Sequence, residues 1–161
     1  MPEPTVVNSS PLIILTRAEI LDFLRLMGDP ILVPFVVAQE IAAYGKDDVT
    51  VRAIAETDWL VVVDALQSPS SLRRLRLGAG ETATLTWAMA HPGTIAILDD
   101  AAACQGALSL GIPVVGTLGL ILAAKEHGLI VEAAPTIERA RHAGLYLPDQ
   151  LVRVSLEQVG E

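Results

Sequence analysis

Thr94-Ile95-Ala96-Ile97-Leu98-Asp99-Asp100 runs directly into Ala101-Ala102-Ala103-Cys104-Gln105-Gly106-Ala107-Leu108-Ser109, and Gly111-Ile112-Pro113-Val114-Val115-Gly116-Thr117-Leu118 follows. The stretch opens with an apolar strand, Thr94 to Leu98, closed by two aspartates. A small-residue helix follows to Ser109, then a glycine–proline turn into the strand Val114-Val115. Thr117 can cap a last helix, from Leu118 to His127, which Gly128 ends. Short apolar strands alternating with helices imply a parallel sheet covered on both faces. The same stretch holds a trap. Ala101 to Ala124 carries no charge and is long enough to suggest a membrane span. Gly106, Gly111, Gly116, Gly119 and Pro113 punctuate it, so it parses as buried elements of a sheet protein and no membrane association is expected.

The same alternation extends outward in both directions. Thr5-Val6-Val7 reads as a short strand ending at Asn8. Arg17 to Met27 has Ile20, Leu21, Leu24 and Met27 at helical spacing and is expected to be a helix, broken by Gly28-Asp29-Pro30. Ile31-Leu32-Val33 is a second strand, and Pro34 suits the first turn of a helix running to about Ala43. Asp47 to Glu56 reads as a helix and Leu60 to Val63 as a third strand. Ser68-Pro69-Ser70 starts a short helix expected to carry Arg73, Arg74 and Arg76. Gly78-Ala79-Gly80 interrupts it before a helix from Glu81 to Ala90. Helical stretches from Thr136 to Ala143 and from Pro148 to Gln158 close the chain. The expected fold is a three-layer α/β domain with a central, mainly parallel sheet of four or five short strands. One domain is expected over 1–161, with a core at about 5–131 and a helical extension at 132–161.

Composition narrows the function. With 161 residues, 52% hydrophobic and 19% charged, the chain is no disordered segment, and with 4% aromatics its core must be aliphatic. Eleven basic against 19 acidic residues give a formal charge of −8, which opposes non-specific binding to nucleic acid. Cys104 is the single cysteine, and Met1-Pro2-Glu3 does not resemble a signal peptide, so a reducing cytoplasm is the expected compartment. His91, His127 and His142 show no zinc spacing. Gly116 and Gly119 are only a weak phosphate-loop signal.

The chemistry lies in the acids. Ligands of parallel sheets bind beyond the carboxyl ends of strands, which is where Asn8 and Asp99-Asp100 fall. Glu40 comes three and four residues after Val37 and Val36, on or beside a buried helix face, and Glu81 is in line with Leu85 and Ala88. Buried carboxylates are costly unless paired or bound to metal. Several on one rim repel one another, and a hard cation such as Mg²⁺ or Mn²⁺ resolves that repulsion. Each acid also has an ordinary role open to it. Glu81 can satisfy a helix dipole, Asp100 can be an N-cap, and Glu40 can be a half-exposed helix residue. Arg73, Arg74 and Arg76 could guide a phosphate backbone or form a solvated helix face. Ser9, Ser10 and Thr117 could hydrogen-bond substrate or cap helices. Cys104 reads as a small core residue.

These residues carry a resemblance. Val6-Val7-Asn8-Ser9-Ser10-Pro11-Leu12-Ile13 followed by Leu15 resembles the opening strand and loop of PIN-like domains. It is closest to a prokaryotic branch related to the toxin nucleases of toxin–antitoxin pairs. Pro34, Val37 and Glu40-Ile41 resemble that branch's second acidic motif. Leu77-Gly78-Ala79-Gly80-Glu81 with Ala83 and Ala88 resembles the third, and Leu98-Asp99-Asp100 the fourth. Leu110 to Gly119, then Ala124-Lys125 and Gly128-Leu129-Ile130, resemble its strand, glycine turn and following helix. The resemblance covers most of residues 5–131.

The resemblance implies a Mg²⁺- or Mn²⁺-dependent endoribonuclease, with Asn8, Glu40, Glu81, Asp99 and Asp100 as ligands and catalytic acids at the last four. RNA is the implied substrate, an antitoxin protein a partner if the chain is the toxin of such a pair, and homodimerisation the implied assembly. Leu151, Val152, Leu156 and Val159 are the expected contact surface for that dimer. The alternatives are a catalytically weak PIN-like module that binds RNA or a protein, and a nucleotide-binding α/β domain using Gly116 to Gly119. Two positions depart from the family pattern. Asn8 stands where Asp is frequent, and Cys104 where an Arg is common.

Overall fold

The computed structural model describes residues 3–161, so Met1 and Pro2, which bear on targeting, lie outside the described residues. In chain order the elements are β1 (Thr5–Val7), α1 (Ser9–Arg17), a 3-10 helix (Leu21–Leu26), β2 (Ile31–Pro34), α2 (Phe35–Ala42), α3 (Val49–Glu56) and β3 (Leu60–Val63). There follow α4 (Ser70–Arg73), α5 (Ala79–Ala90), β4 (Ile95–Ile97), α6 (Ala101–Ser109), β5 (Val114–Val115), α7 (Thr117–Glu126), α8 (Ala134–His142) and α9 (Asp149–Gln158).

The five strands form one parallel sheet in the order β3-β2-β1-β4-β5. Successive strand residues point to opposite faces, and the core divides accordingly. Val7 and Ile97 join a cluster with Leu12, Leu15, Val37, Leu120 and Ile137. Val6, Ala96 and Leu98 join the other, with Leu72, Leu85, Ala103 and Ala107. Helices therefore cover both faces, in the three layers expected. The uncharged stretch from Ala101 resolves into α6, β5 and α7, and among the described residues no helix is long and apolar enough to cross a membrane.

Two elements depart from expectation. The helix read over Arg17–Met27 is instead α1, beginning at Ser9, followed by a separate 3-10 helix. α1 stops because the Ile20 N–H donates to the Leu15 carbonyl and the Glu19 N–H to Thr16, with Glu19 at φ +60°. This is a Schellman closure with glutamate in the left-handed position usually held by glycine. Leu15 and Ile20, which bracket it, are both in the core, so their burial offsets a strain of about 1–2 kcal/mol. Likewise α4 ends at Arg73, leaving Arg74 and Arg76 beyond it, Arg76 at φ +52°.

Candidate metal centre

The strand order reverses direction between β1 and β4. β1 continues outward to β2 and β3, whereas β4 lies on its other side. At such a point the connections diverge and leave a crevice at the carboxyl edge. The Asn8 N–H donates to the Ile97 carbonyl at 3.1 Å, extending the β1–β4 ladder by one residue. Asn8 and Asp99 thus stand at neighbouring strand ends, as expected.

Asn8 occupies the N-cap position of α1 but makes no side-chain cap. Its residue is 4% exposed, and its Oδ1 is buried without a hydrogen-bond partner. An unsatisfied buried carbonyl costs about 1–3 kcal/mol, so this atom calls for an explanation. A Cβ on Gly80 would stand 3.0 Å from that oxygen, and 2.6 and 2.8 Å from the two Glu40 oxygens. Hence Asn8 Oδ1 and the Glu40 carboxylate face one another within about 6 Å across a gap only glycine leaves open. The Ser9 hydroxyl donates to Glu40 Oε2 at 2.5 Å and fixes that carboxylate. Glu40 itself is exposed rather than on the buried face; it belongs to the rim.

Glu81 follows Gly80 in the first turn of α5 and accepts from the Gly78 N–H at 3.0 Å. Asp99 is held at both oxygens by one residue. The Thr117 N–H donates to Oδ1 and the Thr117 hydroxyl to Oδ2, each at 2.7 Å. Burial pushes the Asp99 carboxyl above its usual range, and the two bonds from Thr117 pull against that shift. Thr117 is thus the first residue of α7 and a support for Asp99, not the expected cap. Asp100 is the expected N-cap, its Oδ2 accepting from the Ala103 N–H at 2.9 Å.

Glu81, Asp99, Asp100 and Ser10 line a cavity of about 640 Å³. Residues 144–148 and Leu151, which sequence reasoning assigned no part in a site, line it as well. No signal marked them, because one tyrosine and three leucines far along the chain have no motif. Cys104 registers the shared neighbourhood. Burial raises its thiol pKa, and Asp99, Asp100 and Glu81 raise it further. A raised pKa favours the protonated thiol over the reactive thiolate.

Among the described residues no three Asp, Glu, His or Cys side chains stand close enough to hold an ion as they are. The acids form two groups, Glu40 with Asn8, and Glu81 with Asp99 and Asp100, joined through the adjacent residues Gly80 and Glu81. Their hydrogen bonds do not exhaust them, since an ionised carboxylate offers about four acceptor positions. The donor set is all oxygen, the type suited to Mg²⁺ or Mn²⁺, and the orphaned Asn8 Oδ1 is the kind of atom such an ion satisfies. The residues present fit a hard cation.

Arg73, Arg74 and Arg76 are exposed and form no ion pair among the described residues. Ser10 is exposed in the cavity wall. The Thr117 N–H, which a phosphate at Gly116 to Gly119 would need, is already taken by Asp99, so the helix terminus presents a carboxylate where a nucleotide phosphate would have to sit.

Comparison with curated proteins returned no match. A family model described as a PIN domain matches residues 4–161, which takes in the acidic rim, the sheet and both C-terminal helices. The chain belongs to the PIN domain family.

Proposed function

We propose that the protein is a divalent-metal-dependent endoribonuclease, acting in the cytoplasm on RNA. The observation that carries this reading is the orphaned Asn8 Oδ1 facing Glu40 at the sheet's switch point. Asn8, Glu40, Glu81, Asp99 and Asp100 would hold Mg²⁺ or Mn²⁺. Bound there, the ion would supply Lewis acidity toward a phosphodiester and toward an attacking water. The chain's own residues do the rest. Ser9 orients Glu40, Thr117 clamps Asp99, and Gly80 keeps the space between Asn8 and Glu40 clear. Ser10 offers a hydroxyl to substrate, and the unpaired Arg73, Arg74 and Arg76 draw in the phosphate backbone of an otherwise anionic protein's ligand. The resemblance to toxin nucleases proposes an antitoxin as protein partner, which a small adjacent reading frame would support.

A second reading, a PIN module that binds RNA without cutting it, is favoured by one observation. Asn8 adds no charge, and Glu81 and Asp100 serve as helix caps. Thermal melts in EDTA and in Mn²⁺ separate the two, because a ligand of the native state raises stability by about 3 kcal/mol at a hundred times its dissociation constant. The expected result is a Mn²⁺-dependent rise in Tm and cleavage of single-stranded RNA, both lost in Glu40→Gln and in Glu81→Gln. A Tm that Mn²⁺ leaves unchanged, with no cleavage, would sink the nuclease reading.

A further inference from the structure

A second cavity, of about 260 Å³, shares no lining residue with the acidic one. One wall is the stretch after β3, with Asp64 and Leu66. Another is α5, through Ala79, Ala83 and Trp87, which a spacing of four sets on one helix face. The two alanines leave the space that larger side chains would fill.

Three features of these walls lack a partner. Residues 64–68, between β3 and the Pro69 N-cap of α4, enter no backbone–backbone hydrogen bond among the described residues. Asp64 is exposed and forms no ion pair among them. Trp87 has its ring stacked on His91, with centroids 4.2 Å apart, yet its Nε1–H is buried with no acceptor. A buried indole N–H ordinarily finds one.

Each feature narrows the occupant. An unpaired carboxylate in a largely apolar wall suits a cation on an apolar stem, as in arginine. Unpaired backbone groups suit a second backbone in extended form. The indole N–H needs an acceptor, which a peptide carbonyl supplies and a protonated amine does not. The volume, about 260 Å³, lies just below the range of roughly 300–1,000 Å³ usual for small-molecule sites and suits one long side chain. We infer that this cavity docks an extended segment of a partner protein, which sets an arginine against Asp64 and a main-chain carbonyl on Trp87 Nε1. The site stands whether or not the acidic rim holds metal.

The test adds a capped leucine–arginine–leucine peptide to the isotope-labelled full chain and follows the indole N–H resonances of its two tryptophans by NMR, assigned with Trp59→Phe. The Trp87 resonance should move downfield and saturate, and that of Trp59 should stay. Citrulline in place of arginine keeps the shape without the charge. That peptide should bind about fivefold more weakly, as should the arginine peptide to Asp64→Asn. Agmatine, a guanidinium without a carbonyl, should leave the Trp87 resonance in place. Four results would each overturn the inference. They are a Trp87 resonance unmoved by millimolar peptide, equal affinity for the citrulline peptide, and agmatine binding as tightly as the peptide, which would make this a free-amine site. The fourth is a Trp87 resonance that moves when the protein alone is diluted, which would make a second copy the occupant.

Discussion

Asn8 is an amide among carboxylates, and its effect on the site has two opposing parts. Asp in its place would add a negative charge within about 6 Å of Glu40 and near Asp99. Without metal that repulsion has no compensation, and at an effective dielectric near 20 it amounts to about 3 kcal/mol. With metal, the added charge strengthens attraction for the cation. Asn8→Asp should therefore lower Tm in EDTA, by roughly 2–4 °C per kcal/mol for a domain of this size. In excess Mn²⁺ the deficit should shrink or reverse. A packing defect would be indifferent to metal, so an equal drop in EDTA and in Mn²⁺ would remove position 8 from the metal site. The sequence reading placed Asn8 at the end of a buried strand, where the structure has it, because a polar residue there is conspicuous. It could not show that the amide oxygen is left without a partner, which depends on Glu40 and Gly80 arriving from elsewhere in the chain.

The same limit holds for the elements. Strands and most helices were legible, since alternating faces and helical spacing are local. The end of α1 was not, because its stop signal is a glutamate at positive φ held by the burial of Leu15 and Ile20. Nor was the start of α8 legible as a charged site. Ala133 is its N-cap and has no capping side chain. The Glu161 side chain does that work from afar, accepting from the Ala133 N–H at 2.7 Å, the Ala134 N–H at 3.1 Å and Lys125 Nζ at 2.5 Å. A carboxylate there meets both orphan N–H groups and the positive end of the helix. The bond from Lys125, then that from Ala133, lowers the Glu161 pKa from the usual 4.5 to about 2. A pKa depressed in the folded state stabilises above the unfolded value and ceases to do so as pH falls through the folded value. Glu161→Gln should therefore lower stability at neutral pH, and the gap to wild type should close between about pH 4.5 and 2. Urea melts across that range check it. A gap as wide at pH 2 as at pH 7 would show that the contact acts through shape and not charge.

At the scale of the whole molecule, the net charge of −8 and the distribution of exposed apolar residues pull in opposite directions. The C-terminal helix was expected to carry a dimer contact. Its Val152 is 8% exposed and, with Leu156, packs into the main core, while Leu151 and Val154 remain 46% and 42% exposed, so its apolar residues are divided between core and surface. β3 differs. It is an edge strand, and Val61 and Val62 are 38% and 43% exposed. Phe35, next to the Pro34 that pairs with Val63, is 47% exposed. An apolar edge with unpaired backbone groups readily pairs with another strand unless it is covered. A two-fold axis normal to the sheet sets two copies of β3 antiparallel, giving a closed, self-complementary contact. The protein is therefore expected to form a homodimer through β3. Added salt should strengthen it by screening the repulsion between two anionic subunits, whereas it would weaken RNA binding. Light scattering at micromolar concentration should give a dimeric mass in wild type and a monomeric one in Val62→Lys. Lysine at an exposed edge position blocks pairing without disturbing the core. Val154→Lys, on the 42% exposed side of α9, is the control and should stay dimeric. Were Val154→Lys the variant that dissociates, the contact would lie on the C-terminal helix after all. A wild type that remains monomeric at both low and high salt would leave the β3 edge without a partner.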